Sequence, residues 1–266
     1  MDENIKEIVK DKYSLIAKQA KEQNDTSCCG STGCCDTIEY AIFSEDYTSE
    51  QGYAKDADLG LGCGLPTSYA DIKEGDNVLD LGSGAGNDCF VARSQVGDKG
   101  KVTGLDFTDA MIEKAIINNN KLGFNNIDFV KGDIEEMPFD DNIFDVVISN
   151  CVLNLVPDKT LAFNEIYRVL NKGGHFCISD VVISGVLPDK LKKDAEMYAG
   201  CVSGAIDKDD YVHIIKNSGF NNIVIHKEKA IDIPNEIMLN YLTIDELMDF
   251  KKDKVGIYSI TINAEK

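Results

Sequence analysis

Val78-Leu79-Asp80-Leu81-Gly82-Ser83-Gly84-Ala85-Gly86-Asn87 is a strand that runs without interruption into a glycine-rich turn. Glycines at these positions let backbone pass close against a ligand. The spacing is G-x-G-x-G. A dinucleotide fingerprint has a third glycine one residue later, as G-x-G-x-x-G, and here that place is held by Asn87. A pyrophosphate is therefore a poor fit, and a tight turn without any ligand is the plainer alternative.

Downstream the chain alternates between two periods. Strands are predicted at 77–81, 101–106, 127–131, 143–149 and 173–182, and helices at 85–95, 109–122 and 158–170. Thr108 or Asp109 is expected to cap the second of these helices, and Gly173-Gly174 to end the third. Strand–helix alternation implies an α/β fold, a mostly parallel sheet with helices on both faces. A later helix at 208–218 and strands at 222–228 and 257–262 complete the pattern. Upstream, Ile5, Ile8, Val9, Ile16 and Ala20 mark an amphipathic helix over 4–22, followed by a polar Gly- and Cys-rich loop at 24–37. Residues 183–206 read as an insertion after the fifth strand. Three regions follow: 1–65, a helix and Cys-rich extension; 66–182, the core; and 183–266, the insertion with the closing elements.

Carboxylates recur at the strand ends. Asp80 ends the first strand and Asp106 the second, where an acid can accept both ribose hydroxyls. Asp133, in Gly132-Asp133-Ile134, follows the third, placed to accept an adenine amino group with the Ile134 N–H facing a ring nitrogen. Taken together and in this order, these features resemble the class I S-adenosylmethionine-dependent methyltransferases over about residues 70–182, with Asn171-Lys172-Gly173-Gly174 similar to that family's turn before the fifth strand. The resemblance implies a Rossmann-like sheet of seven strands with the last antiparallel. It also implies that Asp80, Gly82, Ser83, Gly84 and Gly86 contact the methionine part of the donor, Asp106 the ribose, and Asp133 with Ile134 the adenine. Asn150 is a further expected cofactor contact.

The acceptor must be sought elsewhere. Formal charge is −19, from 27 basic and 46 acidic residues, which disfavours nucleic acid and anionic membrane surfaces. No apolar run approaches about 20 residues, and the acidic start Met1-Asp2-Glu3-Asn4 is unlike a signal peptide, so a cytoplasmic monomer is expected. His175, His213 and His226 sit where structural or surface roles suit them. An acceptor with its own lone pair would need no base to remove a proton.

Nine cysteines are many for such a protein and suggest soft-metal or redox chemistry. Cys89 and Cys177 fall inside core elements and read as small apolar residues. Three others come from distant segments that can converge over the donor: Cys63 in Gly62-Cys63-Gly64, Cys151 just after the fourth strand, and Cys201 inside the insertion. Their contexts, Gly60-Leu61-Gly62-Cys63-Gly64, Ser149-Asn150-Cys151-Val152-Leu153-Asn154-Leu155 and Gly200-Cys201-Val202-Ser203-Gly204-Ala205, resemble the arsenite methyltransferases and extend the likeness to about 40–220. That resemblance implies trivalent arsenic held by thiolates, with the insertion acting as an arsenic-binding lid. Soft arsenic prefers soft sulfur, and its lone pair can attack the sulfonium methyl in line.

Cys28-Cys29 and Cys34-Cys35 are vicinal pairs, a poor match to the separated pairs of structural zinc. The resemblance to the arsenite methyltransferases implies a redox cycle between an N-terminal cysteine and the Gly-Cys-Gly cysteine, so one of these four is expected to form a transient disulfide with Cys63, reduced by thioredoxin or a glutathione-like thiol; capture and relay of arsenic is the alternative. A C-terminal domain that many relatives carry is not expected after the last strand. A small organic methyl acceptor and a non-catalytic arsenical sensor are the competing functions. The first gives no reason for the three cysteine contexts, and the second needs no sulfonium donor.

Overall fold

The computed structural model describes residues 2–18, 45–185, 204–232, 235, 239, 242–252 and 256–266. The elements run α1 (Asp2–Ile16), β1 (Asn77–Leu81), α2 (Asn87–Val96), β2 (Lys101–Asp106), α3 (Asp109–Leu122), β3 (Ile127–Lys131), β4 (Phe144–Asn150), α4 (Lys159–Val169), β5 (Leu170–Ser184), α5 (Lys208–Asn217), β6 (Asn221–Ile231), α6 (Ile244–Lys252) and β7 (Gly256–Glu265). The seven strands form one sheet in the order β3-β2-β1-β4-β5-β7-β6. The first five pair in parallel, and β7 lies antiparallel between β5 and β6.

The parallel part of the sheet has strands that are apolar on both faces. Val78, Val146, Ile148 and Cys177 pack with Phe90 and Val96 of α2 on one face. Leu79, Leu81, Val147, Phe176 and Ile178 pack with Phe163, Ile166 and Tyr211 of α4 and α5 on the other. Neighbours along each strand thus go to opposite cores, the period-2 rule applied to a strand with two dry faces. Each face must therefore be covered by helices, and the crossovers supply them.

Several boundaries differ from the sequence reading. Strand β5 begins at Leu170, directly after α4, so Gly173-Gly174 do not end that helix. Leu170 takes an extended backbone (ψ 139°) because it pairs with Phe144. The next pair is Val146 with His175, so Asn171–Gly174 bulge out of the ladder, and Gly173 accommodates the bulge at φ +79°. At α3, Thr108 is the N-cap residue but makes no side-chain cap bond. Asp158 and Asp207 do cap α4 and α5, accepting from the Leu161 and Asp209 amides. The helix expected over 4–22 is seen as 2–16, and its far end lies outside the described residues. So do most of the expected insertion and Cys28, Cys29, Cys34, Cys35 and Cys201. Among the described residues no helix is long and apolar enough to cross a membrane.

Strand order reverses direction between β1 and β4. A crevice opens at the carboxyl ends of strands beside such a switch. The glycine loop leaves β1 there, and Asn150-Cys151 leaves β4 there.

Candidate active site

The glycine loop is tied down by the end of β2. The Gly82 and Ser83 amides donate to the Leu105 carbonyl at 2.7 and 3.0 Å, and the Gly86 amide to Ser83 O at 2.8 Å. Asp106 braces the loop with both oxygens: Oδ2 accepts the Gly84 N–H at 3.0 Å and Oδ1 the Thr108 N–H at 2.8 Å. Gly82 has φ +65°, and a Cβ there would lie 2.3 Å from Val152 Cγ2, so only glycine lets the turn after β1 meet the turn after β4.

One cleft runs along these loops, lined by Asp58, Asp80, Ser83, Asp88, Asp106, Asp133, Ile134, Asn150 and Cys151 among others. Its roof includes Lys6, Val9 and Tyr13 of α1. Lys6 is the single Lys or Arg side chain among the described lining residues, and its Nζ sits 2.6 Å from Asp133 Oδ2 and also on Glu135. The other oxygen of Asp133 accepts the Glu135 N–H at 3.0 Å.

The cleft suits a cationic ligand. Asp80 is buried and accepts the Cys89 thiol hydrogen at 3.2 Å; burial, with Asp88 nearby, lifts its carboxyl well above the ordinary range. Burial likewise raises Asp106, against the amides that donate to it. Asp88 is pushed up to about 6, chiefly by burial, although Asn150 and Tyr47 donate to it. Among the described residues Ser83 Oγ is buried with no hydrogen-bond partner, an atom that a ligand would satisfy. A sulfonium donor that also carries an ammonium group fits this wall of acids and the buried Ser83 hydroxyl.

A pH effect follows. Unliganded, folded Asp88 keeps its proton to about pH 6, whereas an unfolded chain releases it near about pH 4. Its contribution to stability is present below that lower value and lost as pH rises through about 6. A bound cation favours the charged carboxylates and so expels protons. Titration of S-adenosylmethionine at pH 6 in buffers of different ionisation enthalpy is expected to show proton release that vanishes at pH 8. Buffer-independent heats at both pH values would contradict it.

The cysteine side of the cleft is built on β4, β5 and β7. Cys151 follows β4 in a left-handed conformation, φ +60°, unusual for a residue with a side chain. Its N–H donates to Ser179 O of β5 at 2.8 Å. Cys63 is reached from the other side: its N–H donates to Asn150 Oδ1 at 3.1 Å, and its carbonyl accepts Ser259 Oγ of β7 at 2.6 Å. Both cysteines are buried, at 1% and 3% exposure. Both also contribute, after burial and Asp180, to raising the Tyr211 hydroxyl, which donates to Asp180 Oδ2 at 3.0 Å. Asn150, next in sequence to Cys151, thus holds the Cys63 backbone at the turn that meets the glycine loop. Cys201 lies outside the described residues, but the chain re-enters at Gly204 so close to Asn154 that a Cβ would lie 1.6 Å from its carbonyl oxygen.

Cys89 and Cys177 are buried core residues, as expected, and burial pushes both thiols up so that they stay protonated. His175 contacts Ala70 O and His226 packs on Tyr69, with centroids 5.4 Å apart. Sequence reasoning missed Tyr47, Asp88, Asp180 and Tyr211. Asp88 had a signal, since it follows the glycine loop by two residues in the first turn of α2. Tyr47 had none, lying in a stretch without periodicity.

Comparison with known proteins agrees with this geometry. A family model described as "Methyltransferase domain" matches residues 72–219. An arsenite methyltransferase of Halobacterium salinarum is 41% identical over 235 residues, covering 84% of this chain and 59% of the relative. One from Aquipseudomonas alcaligenes is 34% identical over 218 residues, 79% of this chain and 62% of that protein. The chain therefore spans about three fifths of the length of these curated relatives. The crystal structure of an arsenic(III) S-adenosylmethionine methyltransferase from Chlamydomonas reinhardtii superposes with a TM-score of 0.66 at 36% identity, covering 77% of this chain and 67% of that one. With a Rossmann-like sheet, an acid-walled cleft over the glycine loop and these relatives, the chain belongs to the S-adenosylmethionine-dependent methyltransferases and, within them, to the arsenite methyltransferase family.

Proposed function

We propose that this chain transfers the methyl group of S-adenosylmethionine to trivalent arsenic held by the thiolates of Cys63, Cys151 and Cys201. The observation that carries this reading is that Asn150, the residue before Cys151, accepts the Cys63 N–H at 3.1 Å, so both cysteines are held at the end of β4, where Asn150 and Cys151 line the cofactor cleft. Gly204 follows Cys201 by three residues and packs on Asn154, three residues after Cys151, which favours the third thiol joining the other two.

The residues divide the work. Gly82, Ser83, Gly84 and Gly86 with Asp80 would hold the methionine part of the donor, Asp106 the ribose, Asp133 and Ile134 the adenine, and Asn150 the cleft wall between donor and thiols. When bound, the donor supplies an electrophilic methyl on a positively charged sulfur. Three thiolates leave a lone pair on arsenic, so no general base is needed. Burial of Cys63 and Cys151 excludes water and fixes the approach. If a free cysteine thiolate attacks the sulfur of an arsenic-bound cysteine on the methylated arsenic cation, an S–S bond forms as the As–S bond breaks, its electron pair stays on arsenic, and arsenic regains the trivalent state. Cys63 with one of Cys28, Cys29, Cys34 or Cys35 would carry that disulfide, reduced by thioredoxin or a small thiol. Residues 1–65 would then supply redox thiols and Cys63, 66–182 the cofactor site, and 183–266 the lid. The setting is the cytoplasm, and the active form a monomer.

Incubation of the protein with arsenite, a thiol and methyl-labelled S-adenosylmethionine is expected to give labelled methylarsenicals. Arsenic binding without turnover points to a sensor, and no arsenic binding points to an organic acceptor; either result overturns the reading.

A further inference from the structure

Asn150 does more than line the cleft. Its side-chain amide faces the Gly62–Gly64 backbone as a peptide group faces its partner in a sheet. Oδ1 accepts the Cys63 N–H at 3.1 Å and Nδ2 donates to Gly64 O at 2.9 Å. A Cβ on Gly62 would lie 2.7 Å from Nδ2, so the loop is pressed onto this amide. The same Nδ2 lies 3.2 Å from Asp88 Oδ2 and also contacts the Tyr47 hydroxyl oxygen.

The Tyr47 hydroxyl has one hydrogen and competing acceptors at equal distance. Gly64 O is 3.0 Å away, and both oxygens of Asp88 are 3.0 Å away. Tyr47 is buried, so water does not relieve the competition. A hydroxyl can give its hydrogen to only one strong acceptor at a time. A carboxylate is a stronger acceptor than a peptide carbonyl, so in the empty cleft Asp88 holds the hydrogen. Asp88 also lines the cofactor cleft, where a cation would draw on its lone pairs.

We propose that Tyr47 and Asp88 are positioning residues that couple the cofactor cleft to the Cys63 loop: a cationic ligand engages Asp88, the Tyr47 hydrogen passes to Gly64 O, and the loop is held more tightly when the donor is present. No bond other than hydrogen bonds changes. The consequence for arsenic rests on the reading of Cys63 as a substrate thiol; the coupling itself does not.

The test is hydrogen–deuterium exchange of the peptide spanning residues 60–66, with and without saturating S-adenosylhomocysteine, which carries the same ammonium group. In the unaltered protein the ligand is expected to slow exchange about tenfold, within the usual range of coupling between sites. Tyr47→Phe removes the shared hydrogen: exchange stays fast, and the ligand slows it less than about twofold. Asp88→Asn turns the competitor into a donor toward the Tyr47 oxygen and releases the hydrogen to Gly64: exchange is already slow without ligand. Opposite fixed states in two near-isosteric variants are not what a merely structural role produces. Ligand binding itself, read by protection of residues 82–88, confirms that each variant is folded, and either variant alone decides the matter. A ligand response retained in Tyr47→Phe, Asp88→Asn exchanging like the unliganded parent, or no response in the parent overturns the proposal. Phenylarsine oxide binding measured alongside separates the two readings: coupling without Cys63-dependent arsenical binding overturns the proposed function and leaves this inference standing.

Discussion

Cys63→Ser and Cys151→Ser are each expected to lower arsenite methylation about 100-fold or more while leaving S-adenosylhomocysteine affinity within about twofold. Serine is close in size, and the bonds that set each backbone are made by main-chain atoms. The Cys63 N–H still donates to Asn150 and its carbonyl still accepts from Ser259; the Cys151 N–H still donates to Ser179. What changes is the ligand atom. A hydroxyl oxygen is hard and poorly ionised at neutral pH, and soft trivalent arsenic is not held by it. Label transfer from S-adenosylmethionine measures the first quantity and calorimetry the second. Methylation retained by Cys63→Ser would remove that thiol from the substrate site.

Asp106→Ala is the second large effect, and it falls on the cofactor. Two amides, Gly84 N–H and Thr108 N–H, depend on this one carboxylate. Leaving a buried donor unsatisfied costs about 1–3 kcal/mol, so the pair alone brings a loss of several kcal/mol, shared between folding and the shape of the loop. Cofactor affinity is expected to drop by about 100-fold or more, with a lower melting temperature. Asp106→Asn should fall between parent and alanine variant, because its amide nitrogen must face one of the two N–H groups. Equal affinity in all three proteins would mean that Asp106 neither shapes the loop nor meets the ligand.

The fold was legible where a period was strong and a boundary chemical. Strands β1, β2 and β3 match their expected spans, because apolar runs there end at glycine or at a polar turn. The start of β5 was not legible. Leu170 has good helix character, and only its partner Phe144 makes it a strand residue. Gly173-Gly174 read as a helix stop because a bulge and a C-cap draw on the same residue type. In the site, the glycine loop, Asp106 and Cys151 could be placed along the cleft because each lies at the carboxyl end of a strand. Tyr47 and Asp88 were not, since their meaning depends on Asn150, which lies 103 and 62 residues away in sequence. A single sequence does not display such contacts.

Strand β7 has a consequence for how the protein comes to be active. Ser259 reaches back 196 residues to the carbonyl of Cys63, and Thr261 meets Ser179 across 82. Contacts this distant form late, since a long loop must close before they are made. A nascent chain can therefore assemble β1 to β4 while the Cys63 carbonyl still lacks its bond from β7. Its thiols stay open to oxidation or stray metal until the antiparallel strand slides between β5 and β6. The hazard of a cysteine-rich site is thus greatest during synthesis, and cells that keep nascent thiols reduced should yield more active protein than cells that do not.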